Sequence, residues 1–298
     1  MFYIYVYIYI YINMYTIGII GNGFVGKATF QLQCKDISII AYDLNPELCI
    51  PKDTTFNDIL TCDIVCICVP TPMKNNGECY LDIVESVVQK LHENNYEGHI
   101  VLRSTVPVGT SNSLQCFFMP EFLTEANFIE DFKQNKNWIF GLTDNQEKNK
   151  TFKTLIQNII TTAHTHNKIY VNKCSFVESS EAEAIKLFRN CFLATKVSFC
   201  NEFYTFCDKK NINYTTIVDI AAEDTRIGKS HTNVPGPDKK MGFGGTCFPK
   251  DMNNLWYQMN QIEGCEPKVI EACIQRNNTI DRPVQDWNKN KGRAVIDK

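Results

Sequence analysis

The chain has 298 residues, 44% hydrophobic and 21% charged, enough for about two domains and a sizeable core. A net charge of −3 offers no polyanion-binding surface, so a nucleic-acid role is not expected and a nucleotide would need local basic groups and helix N-termini. No apolar run reaches the ~18 to 20 residues of a membrane span, and the 14 cysteines are scattered through apolar segments, so free thiols, no metal and a reducing cytoplasmic setting are expected.

Residues 1–13 alternate Tyr and Ile almost without interruption. Such a tract is what an alternating T/A nucleotide repeat encodes, so Met14 is read as the true start. The other reading is a genuine edge strand of two strongly β-forming residues.

From Tyr15 the pattern becomes regular. Thr16 to Ile20 reads as a buried strand, followed by Gly21-Asn22-Gly23-Phe24-Val25-Gly26 and a helix starting near Lys27. That is G-x-G-x-x-G in its required strand-turn-helix context. The glycines allow a tight turn, approach of a pyrophosphate and close helix-strand packing. The next strand, Ile37 to Tyr42, ends at Asp43, where a carboxylate hydrogen-bonds a ribose 2′-OH and repels a 2′-phosphate, favouring NAD over NADP.

Asp63 to Val69 is a further strand, ending at Pro70-Thr71-Pro72, in which the successive side chains of Cys66-Ile67-Cys68 face opposite sides. A helix follows over Tyr80 to Asn94, then a strand at His99 to Leu102 running into Arg103-Ser104-Thr105. Strands alternating with helices predict an α/β fold with a Rossmann-like, doubly wound parallel sheet and ligands at the strand C-terminal ends. Thr71, Ser104 and Thr105 sit at such ends, where their hydroxyls face a cofactor or serve ordinary turn chemistry. Phe117 to Met119 reads as a strand leading to Glu121 and Glu125, which share a face if the segment is helical. Their spacing fits acid/base chemistry or a solvated first turn equally. Strands are expected at Trp138 to Gly141 and Lys168 to Val171, around a helix near Lys150 to Ile160.

The second half changes character, giving an expected division into residues 14–176, a dinucleotide-binding domain, and 177–298, a helical domain. Val177 to Lys209 reads as one long helix without Gly or Pro. Lys186 and Asn190 lie four apart on an otherwise apolar face, addressing a polar ligand or simply solvated. After the loop around Asp224-Thr225-Arg226 comes Gly242-Phe243-Gly244-Gly245-Thr246-Cys247-Phe248-Pro249-Lys250-Asp251. Glycines that bend sharply precede a thiol with a cation nearby, the setting that lowers a cysteine pKa. A helix starting near Pro249 would put Cys247 at its N-terminal end. The alternative is a buried structural cysteine. Helices to about Met259 and over Pro267 to Asn278 precede a polar tail from Pro283.

Six segments in order (Gly21 to Gly26, Val69 to Pro72, Ser104 to Gly109, Pro120 to Glu125, Glu183 to Asn190 and Gly242 to Asp251) resemble the UDP-glucose/GDP-mannose dehydrogenase family. The resemblance implies two NAD-dependent oxidations that turn a sugar C6 alcohol into a carboxylate, with Cys247 as the nucleophile. It implies oxyanion stabilisation by Lys186 and Asn190, and water or proton handling by Asp251, Thr105 and Glu125. Gly21, Gly23, Phe24, Val25, Gly26, Asp43, Thr71, Pro72, Ser104, Thr105 and Lys250 fall on the cofactor side. Glu121, Phe122, Leu123, Phe243 and Gly244 fall on the substrate side, with Lys186 and Asn190. Arg226 would reach a substrate across a homodimer interface. Such enzymes continue into a third α/β domain, absent here; the polar tail is read as the end of a short form. UDP-glucose is the leading substrate, with GDP-mannose and UDP-N-acetylmannosamine as alternatives. A non-catalytic NAD-binding dimerisation module is the rival of another class.

Overall fold

The alternating apolar and amphipathic runs form a seven-stranded sheet and a helical half in a computed structural model of the protein, which describes residues 14–296. The Tyr/Ile tract therefore lies outside the described residues. The first half runs β1 (Tyr15–Ile20), α1 (Phe24–Thr29), β2 (Ile37–Tyr42), α2 (Phe56–Ile59), β3 (Ile64–Ile67), α3 (Asp82–Glu93), β4 (His99–Leu102) and α4 (Thr110–Ser113). There follow β5 (Phe117–Phe118), α5 (Phe128–Lys133), β6 (Trp138–Leu142), α6 (Gln146–Thr165) and β7 (Cys174–Glu178). The helical half holds α7 (Ser179–Lys210), α8 (Tyr214–Ala221), α9 (Phe248–Asn260) and α10 (Lys268–Arg276).

The strand order is β2-β1-β3-β4-β5-β6-β7. β1 pairs with β2 on one side and β3 on the other, so the chain reverses direction across the sheet beside the fingerprint turn, where α/β proteins open a crevice. Strands buried on both faces need near-continuous apolar sequence. Accordingly Ile17, Ile37 and Ile39 pack with Phe152, Ile156 and Ile160 of α6, while Ile20, Val65 and Ile67 pack with Val84, Val88 and Leu91 of α3.

The expected doubly wound sheet is present, with one refinement and one correction. The sheet is mostly, not wholly, parallel: β6 runs antiparallel to β5, and β7 follows β6. The connection from β5 holds only α5, of six residues, and returns the chain to the same end of the sheet, so that β6 enters antiparallel. The correction is the strand expected at Lys168 to Val171. There the backbone is spent elsewhere, Tyr170 N donating to Lys133 O (3.0 Å) and Val171 O accepting from Trp138 Nε1 (2.7 Å), and the ladder begins at Cys174.

α7 is 32 residues long and belongs to both halves. Near its start Ala182 enters the sheet core. The buried Glu183 carboxylate accepts from Gly109 N (2.5 Å), Ser111 N (2.8 Å) and Ser111 Oγ (2.6 Å). Farther along, α7 packs with α9 and α10 around Cys191, Ala194, Phe243, Met252 and Cys273. Another face leaves Phe188, Phe192, Phe199 and Phe206 exposed. The segment expected as a polar tail instead returns to the sheet half: Trp287 and Ala294 are buried around Met73, and Met73 N donates to Ala294 O (2.9 Å).

Candidate active site

A cleft of about 900 Å³ runs from the fingerprint turn to the glycine-cysteine loop. At one end Gly21, in the left-handed region at φ +88°, has its Cα so close to β3 that a Cβ would lie 2.9 Å from Cys68 O. Gly26 packs likewise, a Cβ there meeting Gly21 O at 2.5 Å. Gly23 differs: apart from its own chain neighbours, no described atom lies within 4 Å of the position of an added Cβ. Its open side faces the cleft, which Gly21, Gly23, Phe24 and Val25 line together. That is the cradle a pyrophosphate requires. Asp43 lines the same end, its carboxylate fixed by Asn22 N (2.7 Å) and Asn45 N (2.9 Å). Two carboxylate oxygens offer about four acceptor sites, so Asp43 can still receive a ribose hydroxyl. The residues fit a dinucleotide.

Midway along the cleft lie Thr71, Ser104 and Thr105. Thr71 Oγ1 donates to Thr105 O (2.7 Å) and Ser104 Oγ to Val69 O (2.6 Å), so these two hydroxyls also tie the β3 and β4 ends together. Pro72 is buried off the cleft, which Pro70 lines instead. Arg103, given no role in the sequence, lines it too; this buried guanidinium rests on Thr29 Oγ1 and Phe132 and has no ion-pair partner among the described residues.

At the far end the charges are paired and buried. Lys186 Nζ donates to Glu121 Oε1 and to Glu121 O, both at 2.7 Å. Lys250 Nζ lies 2.7 Å from Asp251 Oδ1, and Asp251 Oδ2 accepts from Asn190 Nδ2 (2.6 Å). Burial pulls the Lys186 ammonium down, but Glu121, Asp251 and Cys247 outweigh it and hold its pKa above the ordinary value. Lys250 is raised in the same way, burial opposed chiefly by Asp251. Cys247 occupies the N-cap of α9, with Pro249 in its first turn, as expected for a helix beginning there.

The expected activation of that thiol is reversed. Burial pushes Cys247 up to about 11, with Glu121 and Asp251 adding to the rise and Lys186 and Lys250 opposing it. Each cation has its own carboxylate, so the thiol feels little net positive charge and desolvation wins. Cys247 rests here as a neutral thiol.

The two glutamates also part ways, because Pro120 to Thr124 is not helical. Glu121 is buried on Lys186, while Glu125 is exposed and accepts from Thr246 Oγ1 (2.6 Å), a hydroxyl 3.8 Å from Cys247 Sγ. Phe122 lies under the Arg189 guanidinium, 3.5 Å from its ring centroid, and Leu123 packs against the sheet core. The side chain of Phe243, a residue expected on the substrate side, is buried in the helical core. Asn277 clamps its backbone, accepting from Phe243 N and donating to Phe243 O, both at 2.9 Å. The Arg282 guanidinium covers Gly244, and a side chain there would have to displace it. Arg226 stands away from the cleft, exposed and paired with Asp224.

Sequence reasoning missed Thr246, Arg103, Asn277, Arg282 and Arg293. Thr246 stood inside the Gly242 to Asp251 motif, and a hydroxyl next to Cys247 was the available signal. The others act across 34 or more positions, and no local pattern marks them.

The family model described as the NAD binding domain of the UDP-glucose/GDP-mannose dehydrogenase family matches residues 50–160, and the one for its central domain matches 180–279. Among curated relatives, the UDP-glucose 6-dehydrogenase TuaD of Bacillus subtilis is 31% identical over 254 residues, 78% of this chain and 51% of the relative. The UDP-glucose 6-dehydrogenase of Rickettsia typhi is 34% identical over 236 residues, 74% of this chain and 50% of the relative. The chain thus spans about half the length of the curated relatives it matches. A UDP-glucose dehydrogenase structure from Pyrobaculum islandicum superposes with a TM-score of 0.75 at 21% identity, over 93% of this chain and 71% of that one. A 3-hydroxyisobutyrate dehydrogenase from Mycobacterium tuberculosis gives 0.65 at 13% identity, over 91% and 95%. At those identities the superpositions speak to fold alone.

Proposed function

The chain belongs to the UDP-glucose/GDP-mannose dehydrogenase family, and on that premise we propose that it oxidises the C6 alcohol of a nucleotide sugar to the carboxylate, with UDP-glucose as the leading substrate. The observation that carries this reading is Cys247 at the cleft, next to two buried lysine-carboxylate pairs. A cofactor for alcohol oxidation alone needs no thiol.

NAD, held by the fingerprint turn and Asp43, supplies the hydride acceptor for each of the two oxidations. The chain's own groups do the rest. In the first oxidation the alcohol proton leaves to a cleft carboxylate or to solvent, giving the aldehyde. Cys247 Sγ adds to the aldehyde carbon and its proton passes to the former carbonyl oxygen, forming a thiohemiacetal. Loss of a second hydride and of that hydroxyl proton leaves a thioester, and water releases the acid and restores the thiol. The sugar loses four electrons and one water is consumed. Lys186 and Asn190 are assigned to stabilising the negative oxygen, Thr105, Glu125 and Asp251 to water and proton handling. A neutral thiol suits this order, since it attacks an aldehyde already formed and needs deprotonation only then.

The exposed phenylalanines of α7 and the distance of Arg226 from the cleft support a homodimer in which Arg226 serves the partner's site. The experiment is the NADH yield per UDP-glucose, beside Cys247→Ala. Two NADH per sugar with wild type and none of the acid with the variant is the expected result. Two NADH with GDP-mannose alone would change the substrate; NAD binding without any turnover would sink the enzymatic reading.

A further inference from the structure

The segment after α10 brings a cation to the cleft. With Met73 bonded to Ala294 O (2.9 Å) and Ile296 N (3.1 Å), and Trp287 and Ala294 buried beside it, Arg293 is held at the cleft wall. Its guanidinium carbon lies 5.5 Å from the centroid of the Phe24 ring, in the fingerprint turn. Its Nη2 lies 2.9 Å from Glu125 Oε1, the same oxygen that accepts from Thr246 Oγ1.

The other cations lining the cleft are Lys90, which lies over the Phe56 ring at 4.0 Å, Lys250, which is paired with Asp251, and Arg103, which has no ion pair but is 2% exposed and held against Thr29 and Phe132. The fingerprint turn itself offers neutral backbone N–H groups, leaving two pyrophosphate charges without a counter-cation. Arg293 is the guanidinium at hand. Its pair with Glu125 is about half exposed on both sides, and such pairs are weakly held. A guanidinium on a phosphate makes two parallel charge-assisted bonds.

We propose that Arg293 is a cofactor-binding residue that exchanges Glu125 for the pyrophosphate of the bound dinucleotide. The exchange leaves Glu125 Oε1 to Thr246 alone, beside Cys247, so cofactor occupancy reaches the nucleophile through one shared oxygen. The inference rests on the cofactor reading of the cleft.

The test is equilibrium binding of ADP-ribose and of adenosine to the full chain and its variants. Arg293→Gln weakens ADP-ribose about tenfold, ~1.4 kcal/mol, and leaves adenosine unchanged. Arg293→Lys keeps part of the affinity, as a point charge does. Glu125→Gln, by removing the resting partner, tightens ADP-ribose about two- to threefold in the wild-type background and has no effect beside Arg293→Gln, the coupling that a merely structural role would not produce. Equal ADP-ribose affinity in wild type and Arg293→Gln, or a matching loss of adenosine, overturns the assignment and leaves the cofactor reading standing. A Glu125→Gln effect of the same size in both backgrounds overturns the exchange. Failure of the wild-type chain to bind ADP-ribose overturns both.

Discussion

Around the fingerprint turn the cleft wall is backbone: Gly21 and Gly26 close against their neighbours, and Gly23 leaves a space that no described atom fills. Around Cys247 the wall is side-chain charge taken in pairs, Lys186 with Glu121 and Lys250 with Asp251, each pair buried. The first arrangement recognises a ligand by shape and neutral donors, at little cost to the empty protein. The second stores charge that is worth something only while every partner stays in place. Disturbing the helical end should therefore cost the fold, and disturbing the open part of the fingerprint should cost binding only.

The sharpest break is Lys186→Met, which leaves Glu121 buried with an unpaired carboxylate. Unfolding in urea should show a loss of about 3–5 kcal/mol. Lys186→Met with Glu121→Leu should recover most of that stability without recovering activity. A single variant as stable as wild type would mean the pair contributes nothing. Next is Asn277→Ala, which strands the buried N–H and C=O of Phe243. It should cost about 1–3 kcal/mol per stranded group, again read by urea, and lower turnover by loosening the cysteine loop. The two glycines then separate fold from ligand. Gly26→Ala should cost about 1–3 kcal/mol by overpacking, whereas Gly23→Ala should stay within about 0.5 kcal/mol of wild type yet bind NAD at least about tenfold more weakly, ~1.4 kcal/mol. Equal losses of stability in both would erase the distinction.

How much of this was legible follows the same division. The fingerprint, Asp43 and most strands are written in local sequence, because a strand, a tight turn and a helix start each have their own residue preferences. The β6 reversal was not, since strand direction depends on what the intervening segment can reach. In the helical half the motif itself was plain, but its electrostatics were not. Lys250 next to Asp251 and Lys186 four before Asn190 look like free cations on the page; only the fold brings Glu121 to Lys186, 65 positions away. For the same reason the burial of the Phe243 side chain was not legible: nothing local says that Asn277 and α10 cover it.

The mildest prediction tests that neutralisation directly. With the Cys247 thiol pushed up to about 11, on the order of one molecule in a thousand carries the thiolate at pH 8. Alkylation of Cys247 by iodoacetamide, followed by peptide mass mapping in the cofactor-free protein, should rise about tenfold per pH unit through pH 8 to 10 and level only near 11. The sign is set by which charges remain. Glu121→Gln removes an anion and leaves Lys186 unneutralised, so the midpoint falls and the rate at pH 8 increases. Lys186→Met removes the cation, and the midpoint moves further up. A wild-type midpoint below the ordinary thiol value would mean that the lysines are not cancelled by their carboxylates, and that the Cys247 end of the cleft carries a net positive field after all.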